Sequence, residues 1–562
     1  MVKKLFQFLN KEFHSINEAA LLLGAFTFLS QILGLVRDRL LAHIVGAGPT
    51  LDVYYAAFRV PDFLYVSLGS LASVTVLMPF IVKRMGDSNT YNDAVKKFMN
   101  NTFSAFLLVM LICCTLIFIF MPSLAHIIAP GFTEMQMSLL VKVSRIMLIS
   151  PILIGISNLI GTITQLTKKF FIFSLSPVFY NLGIISGIVF LYPIFGLYGL
   201  ALGVILGAFL HMLIQIPTVA RAGVSLKFLR KIDWKDIYSI VKVSLPRTLT
   251  LSFGSIAFMA LIALASTLVP GSISLFTFSF NLQSVPVGII GISYSVAAFP
   301  MLVHSFNSKN IENFRSQIVE GAKQIIFWSL PTMALFMVLR AQIVRVVLGS
   351  SGFTWAQTRL TAAGVALFVI SLCSQALVLL LVRGYYAAGN TKKPLIVNLS
   401  SSVFVVILGY LSIIIFQKFP GFQSSIESLL RVEGVQGTIM LALPFAYAFG
   451  SLINVLLLWG IFKKDFMQNF NSGIDKTVFQ VGLGSVALGS VAYLMLGVLD
   501  DVFSLSTFAG VFLQGFIAGI IGIITFCVVL WVFKNKEFIA VTRAISHKFW
   551  KEKVIAPEQA EL

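Results

Sequence analysis

The chain has 562 residues, of which 58% are hydrophobic and only 11% charged, with a mean hydropathy of +0.93. So little polar side chain cannot cover a water-soluble globule, which excludes a soluble enzyme or binding module and specifies a polytopic membrane protein. The formal charge of +19 calls for no nucleic acid, because membrane proteins collect cations in their cytoplasmic connections.

The first twenty residues carry Lys3, Lys4, Lys11, Glu12 and Glu18 without a compact apolar core, so no cleavable signal peptide is expected. A bilayer span needs about 20 mostly apolar residues. Fourteen segments of that kind are predicted, near 20–43, 51–82, 97–121, 137–165, 170–192, 196–220, 237–268, 273–304, 318–348, 357–387, 394–417, 435–462, 477–499 and 503–533. The fold class is therefore all-α, and the run 51–82 is long enough to be one tilted or kinked helix.

The first two segments are unusual in holding Arg37, Asp38, Arg39, Asp52, Arg59 and Asp62 between Gly34 and Asp62. An ionised side chain at bilayer depth costs about 2.5–3.5 kcal/mol on insertion scales, so it faces a protein interior or a wet cavity. Asp52 and Arg59, seven residues apart, fall on one helical face. A polar chamber is expected here, the plainer alternative being that Arg37 to Arg39 snorkel from a helix end to the headgroups.

Loop charges orient the chain. One set of alternate connections holds Lys83, Arg84, Lys96 and Lys97; Lys168 and Lys169; Arg221, Lys227, Arg230, Lys231 and Lys235; Lys309 and Arg315; Lys392 and Lys393; and Lys463, Lys464 and Lys476. The other set is poor in cations. The positive-inside rule then places both termini in the cytoplasm.

Internal repetition decides the architecture. Thr167 to Ser176 (TKKFFIFSLS) recurs as Thr391 to Ser400 (TKKPLIVNLS) at an offset of 224, and Pro79 to Lys83 resembles Pro300 to His304 at an offset of 221. Six spans separate the members of each pair, which predicts two six-helix bundles in parallel repeat plus an extra C-terminal pair. The expected divisions are an N-lobe at 1–221, a C-lobe at 222–464, the extra pair at 465–535 and a basic cytoplasmic tail at 536–562.

Within the spans, Gly183 with Gly187, and Gly199 with Gly203 and Gly207, mark close helix contacts. In the eighth segment Pro286, Gly288 and Gly291 predict a kink, and the corresponding region Gly69 to Pro79 of the first half is also interrupted. Broken helices at matching places in two repeats point to the translocation path. Arg145 falls mid-span, Arg247 follows Pro246 at the start of the seventh segment, and Lys142, Lys242 and Arg383 lie in or near spans where snorkelling is at least as good an account. In a two-lobed arrangement Arg37 and Arg247 are expected to face each other across the cleft. Cations outnumber acids in these spans, which favours an anionic cargo, and guanidinium groups suit phosphate.

Catalytic and metal chemistry is absent from the sequence. The histidines His14, His43, His126, His211, His304 and His547 are scattered, there is no Walker A, GxSxG or kinase signature, and Cys113, Cys114, Cys373 and Cys527 form no CxxC pair. No cofactor is expected, and the work must come from a membrane potential, a coupling cation or consumption of the product.

Ser30 to Asp38 (SQILGLVRD), Gly46-Ala-Gly48 with Asp52, Phe58-Arg-Val-Pro61, Ala129-Pro-Gly-Phe132, Leu245-Pro-Arg-Thr-Leu249, Ile343-Val-Arg345 with Gly352-Phe-Thr354, and Arg383 to Thr391 resemble, in order and spacing, the MurJ (MviN) lipid II flippases of the multidrug/oligosaccharidyl-lipid/polysaccharide exporter superfamily. The resemblance implies fourteen helices in two lobes, with the extra pair lining a groove for a lipid tail. It also implies alternating access that carries undecaprenyl-pyrophosphate-linked disaccharide-pentapeptide from the inner to the outer leaflet of a bacterial plasma (inner) membrane, for peptidoglycan synthesis. Arg37, Asp38 and Asp52 match charged residues important in that family, while Gln31, Tyr65 and Asn281 stand where its best-studied members carry arginine. The expected binding set is Arg37, Asp38, Asp52, Arg59, Arg145, Arg247 and Asn281, in a monomer that binds no nucleic acid. Alternatives are a flippase for another polyprenyl-linked saccharide, a multidrug antiporter, which the cationic spans disfavour, and a non-transporting scaffold.

Overall fold

The computed structural model describes residues 16–69, 73–85, 92–167, 169–221, 226–468, 470 and 472–549; the basic segments Lys3 to Lys11 and beyond 549, and Lys168, lie outside these. The described residues are helical apart from turns and one isolated bridge between Ser350 and Phe353. In chain order the helices are α1 (Ile16–Leu40), α2 (Pro49–Ser67), α3 (Val74–Met85), α4 (Asp93–Ile128), α5 (Glu134–Met147), α6 (Ile149–Leu166), α7 (Phe170–Ser186), α8 (Leu197–Leu213), α9 (Ile216–Arg221), α10 (Trp234–Ser266) and α11 (Ser272–Val287). They continue with α12 (Ser293–Asn307), α13 (Ile311–Val338), α14 (Arg340–Leu348), α15 (Trp355–Val369), α16 (Leu372–Ala387), α17 (Lys392–Lys418), α18 (Pro420–Leu430), α19 (Ala442–Phe466), α20 (Ile474–Asp500), α21 (Phe508–Val532) and α22 (Lys536–Phe549).

Among the described residues eleven helices, some of them running on through a break, are long and apolar enough to cross a membrane, or twelve if α15 and α16 are one broken span. The expected count of fourteen is reached only by adding α1 and the α2–α3 pair, where the ionisable residues are concentrated. Helix α2 holds Asp52, Arg59 and Asp62 within nineteen residues, so apolar composition alone does not count it. The run 51–82 is indeed broken, with α2 ending at Ser67 and α3 starting at Val74. Pro286 is followed by a π-helical segment at Gly288–Ile292, the kind of insertion that bends a helix.

The chain divides into two compact units. One comprises 1–285, 344–371 and 389–458, the other 286–343, 372–388 and 459–562.

In the first unit the spaced glycines meet one another. A Cβ on Gly183 would lie 2.3 Å from the Cα of Gly207, and one on Gly187 would lie 2.3 Å from the Cα of Gly203. Helix α7 and the π-helical segment Gly187–Leu191 that continues it therefore touch α8 backbone to backbone, the packing small residues permit in lipid, where helices gain nothing from hiding apolar surface from water. Helix α5 starts with a capping box in which Thr133 and Gln136 satisfy each other's backbone N–H, and α15 starts with the same device from Thr354 and Gln357. The two boxes are 221 residues apart, the offset of the Pro79/Pro300 match.

In the second unit α13, α20 and α21 pack around Phe327, Val481, Leu488, Phe526 and Leu530. Helix α21 turns small residues inward, with a Cβ on Gly522 due to lie 3.1 Å from the carbonyl oxygen of Leu488. Phe508, Phe512 and Phe516 repeat at every fourth position on its outer face and are exposed. An apolar stripe turned outward is what a lipid-facing helix requires.

Candidate substrate-binding site

The charged stretch of the first unit resolves into distinct tasks. Helix α1 ends in Arg37, Asp38 and Arg39. The guanidinium of Arg37 donates from Nε (2.9 Å) and Nη2 (2.8 Å) to one carboxylate oxygen of Asp38. The other oxygen accepts from Asn281 Nδ2 of α11 at 2.9 Å. Asp38 is only 3% exposed, and burying a carboxylate is tolerable because a cation and an amide answer it. Arg39 turns elsewhere, donating from Nη1 to the carbonyl of Val346 at 2.6 Å. All three thus have partners within the protein.

Asp52, in the first turn of α2, uses both carboxylate oxygens on the start of α11. It accepts from the backbone N–H of Gly271 at 2.6 Å, from the backbone N–H of Ser274 at 2.8 Å and from the Ser274 hydroxyl at 2.5 Å. The first N–H groups of a helix lack internal partners and carry partial positive charge, so this carboxylate caps α11 from another helix.

Two turns along α2 from Asp52, Arg59 donates from Nε to the carbonyl of Tyr55 at 3.2 Å and lies over the ring of Phe258 of α10, 4.7 Å from its centroid. Asp62, three residues on, acts on it electrostatically. Among the described residues the terminal nitrogens of Arg59 and Nη1 of Arg37 make no hydrogen bond. Tyr55 stands between these groups in sequence and within electrostatic reach of Arg37, Asp38 and Arg59. It is 6% exposed, packs edge-on against Phe278 at 5.8 Å, and its buried hydroxyl has no hydrogen-bond partner among the described residues. A buried hydroxyl left without an acceptor is destabilising by about 1–3 kcal/mol.

Sequence reasoning missed Tyr55, since tyrosine in an apolar run reads as packing; its position between Asp52 and Arg59 was the available signal. Asn281 enters the cluster, but by holding Asp38. Arg145 does not join it: its Nε donates to the carbonyl of Phe118 of α4 at 2.9 Å and its guanidinium lies over that ring. Arg247 lines a different hollow, with Pro79, Phe80 and Lys83. The group brought to the Arg37–Asp38 pair from the second half is thus Asn281 of α11, where Arg247 of α10 was expected.

The family model described as lipid II flippase MurJ matches residues 41–513. The chain belongs to the MurJ family of lipid II flippases. Its work is accordingly transport, not catalysis, in a multi-pass membrane protein handling a lipid-linked substrate. Relatives include the probable lipid II flippases MurJ of Haemophilus influenzae, 26% identical over 83% of this chain and 90% of the relative, and of Vibrio cholerae, 27% identical over 86% and 96%. A solved structure of lipid II flippase MurJ in an inward closed conformation shares the fold, with a TM-score of 0.71 at 23% identity over 91% of this chain and 98% of that one. An inward-facing MATE transporter of the MOP superfamily aligns with a TM-score of 0.61 at 17% identity, over 79% and 96%. Within the MurJ family fold, the open guanidinium edges and the orphaned hydroxyl lie on α1 and α2.

Proposed function

We propose that this chain carries lipid II from the inner to the outer leaflet of a bacterial inner membrane by alternating access, and that Arg37, Arg59 and Tyr55 receive its pyrophosphate. The observation that carries the reading is the set of unanswered donors: Nη1 of Arg37, the terminal nitrogens of Arg59 and the buried Tyr55 hydroxyl. Phosphate oxygens accept such donors in short, charge-assisted bonds. Asp38 and Asn281 hold Arg37 in place, and Asp52 fixes α11 against α2, so neither carboxylate needs to touch the cargo.

In this reading both termini face the cytoplasm, 1–221 and 222–464 are the two lobes, 465–535 lines a groove for the polyprenyl tail and 536–562 is a basic cytoplasmic tail. The protein acts as a monomer without nucleic acid, and the membrane potential or a coupling cation drives the cycle. The test is complementation of a flippase-depleted bacterium. The native chain is expected to restore growth, and the Arg37→Gln/Arg59→Gln double variant, expressed to the same level in the membrane, is expected not to. Growth supported by the double variant would remove the pyrophosphate from these residues. Failure of the well-expressed native chain would transfer the reading to another polyprenyl-linked saccharide.

A further inference from the structure

Away from the Arg37 cluster, α3 and α10 enclose a hollow of about 350 Å³ walled by Pro79, Phe80 and Val243 and edged by Lys83, Ser244 and Arg247. That volume is at the small end of ligand pockets. An ion pair joins the same two helices: Arg84 Nη2, next in sequence to Lys83 of the lining, lies 2.7 Å from Asp236 Oδ1, linking the end of α3 to the first turn of α10. Arg84 is further held by a bond from Nη1 to the carbonyl of Phe80 at 3.1 Å and by stacking over Phe98 at 4.2 Å. Lys83, next in sequence, makes no ion pair among the described residues. These stretches of α3 and α10 carry three cations, Lys83, Arg84 and Arg247, and the acid Asp236, a composition that favours an anion. The side chains of the ion pair are 25% and 32% exposed, so an incoming group reaches both.

Resting on the flippase reading, we propose that this hollow is the first docking point for the diphosphate of the polyprenyl-linked cargo, and that the Arg84–Asp236 pair is a latch the diphosphate loosens. Lys83 and Arg247 hold the phosphate oxygens, the apolar walls take the first carbons of the polyprenyl chain, and the anion competes with Asp236 for Arg84. The hollow shares no lining residue with the Arg37, Tyr55 and Arg59 site, so docking and central binding are successive steps. A site used before the rate-limiting movement changes apparent affinity rather than turnover.

The experiment measures flipping of lipid II by the full-length chain in phosphatidylcholine vesicles. Lys83→Gln/Arg247→Gln is expected to raise the KM for lipid II at least tenfold with kcat nearly unchanged and with a native thermal unfolding midpoint in detergent, which reports on folding. Asp236→Asn, which frees Arg84 without a competitor, is expected to lower the KM. Isothermal titration with inorganic pyrophosphate should show one binding event fewer in the double variant than in the native chain, the event at Arg37 and Arg59 remaining. A native KM in the double variant overturns the proposal, as does phosphatidylglycerol raising the KM as much as loss of the two cations, since the site would then take any anionic headgroup. Absence of flipping by the native chain is a different result, because it removes the transport reading itself.

Discussion

Asp38 and Asp52 stand fourteen residues apart in one compact unit, and each is 3% exposed, yet they are answered in opposite ways. Asp52 is answered by backbone, through the N–H groups of Gly271 and Ser274 and the hydroxyl of Ser274 at the positive end of α11. Asp38 is answered by side chains, the guanidinium of Arg37 and the amide of Asn281. A helix end cannot leave its carboxylate without the helix moving, whereas a guanidinium can turn to another anion. The first arrangement ties α2 to the start of α11. The second, in the proposed function, leaves Arg37 able to turn to the cargo.

The largest effect expected from breaking this contrast is at Asp52. Hydrogen bonds to a charged group are each worth about 1.5–3 kcal/mol, and the three are not additive. Asp52→Ala is therefore expected to lose about 4 kcal/mol of stability, read as a lower thermal unfolding midpoint in detergent, and Asp52→Asn about half as much. Unfolding of Asp52→Ala at the native temperature would deny the carboxylate its capping role. Next comes Arg37→Gln. Removing one partner of a buried pair costs about 3–5 kcal/mol, but the Arg37 side chain is 24% exposed, so about 2 kcal/mol is expected here, with transport reduced at least tenfold. Adding Asp38→Asn removes the stranded charge, and the double variant should regain most of the stability while transport stays lost. Recovery of both would make the pair a structural tie.

What the chain discloses before folding follows the range of each interaction. Hydropathy is local, so the long spans were legible, as were the break after Pro286 and the glycine spacing that joins α7 to α8. The Thr133/Gln136 and Thr354/Gln357 boxes, 221 residues apart, were there to be read as well. The roles of the charges were not, because they are set by partners far along the chain: Gly271 and Ser274 lie 219 and 222 residues from Asp52, and Asn281 lies 243 from Asp38. Hydropathy places Arg145 at depth but carries no azimuth, and the helix turns it to Phe118. Helix α18 (Pro420–Leu430) forms where a connection was expected, since its polar face hides the helical period from a window tuned to apolar runs.

The smallest effects separate the two acids most sharply. Ser274→Ala removes one hydroxyl from Asp52 and leaves both backbone donors, while Asn281→Ala removes the amide from Asp38 and leaves Arg37. Each deletes one hydrogen bond to a carboxylate, so each is expected to lower stability by about 1–2 kcal/mol. Their transport should differ. Ser274→Ala leaves every open donor where it was, and its flipping rate should match the native chain. Asn281→Ala gives the Arg37–Asp38 pair freedom to move, so several-fold slower flipping at equal stability is expected. Equal transport in the two variants would mean that Asn281 supports α1 as Ser274 supports α2, and that the positioning of Arg37 does not depend on the amide across from it.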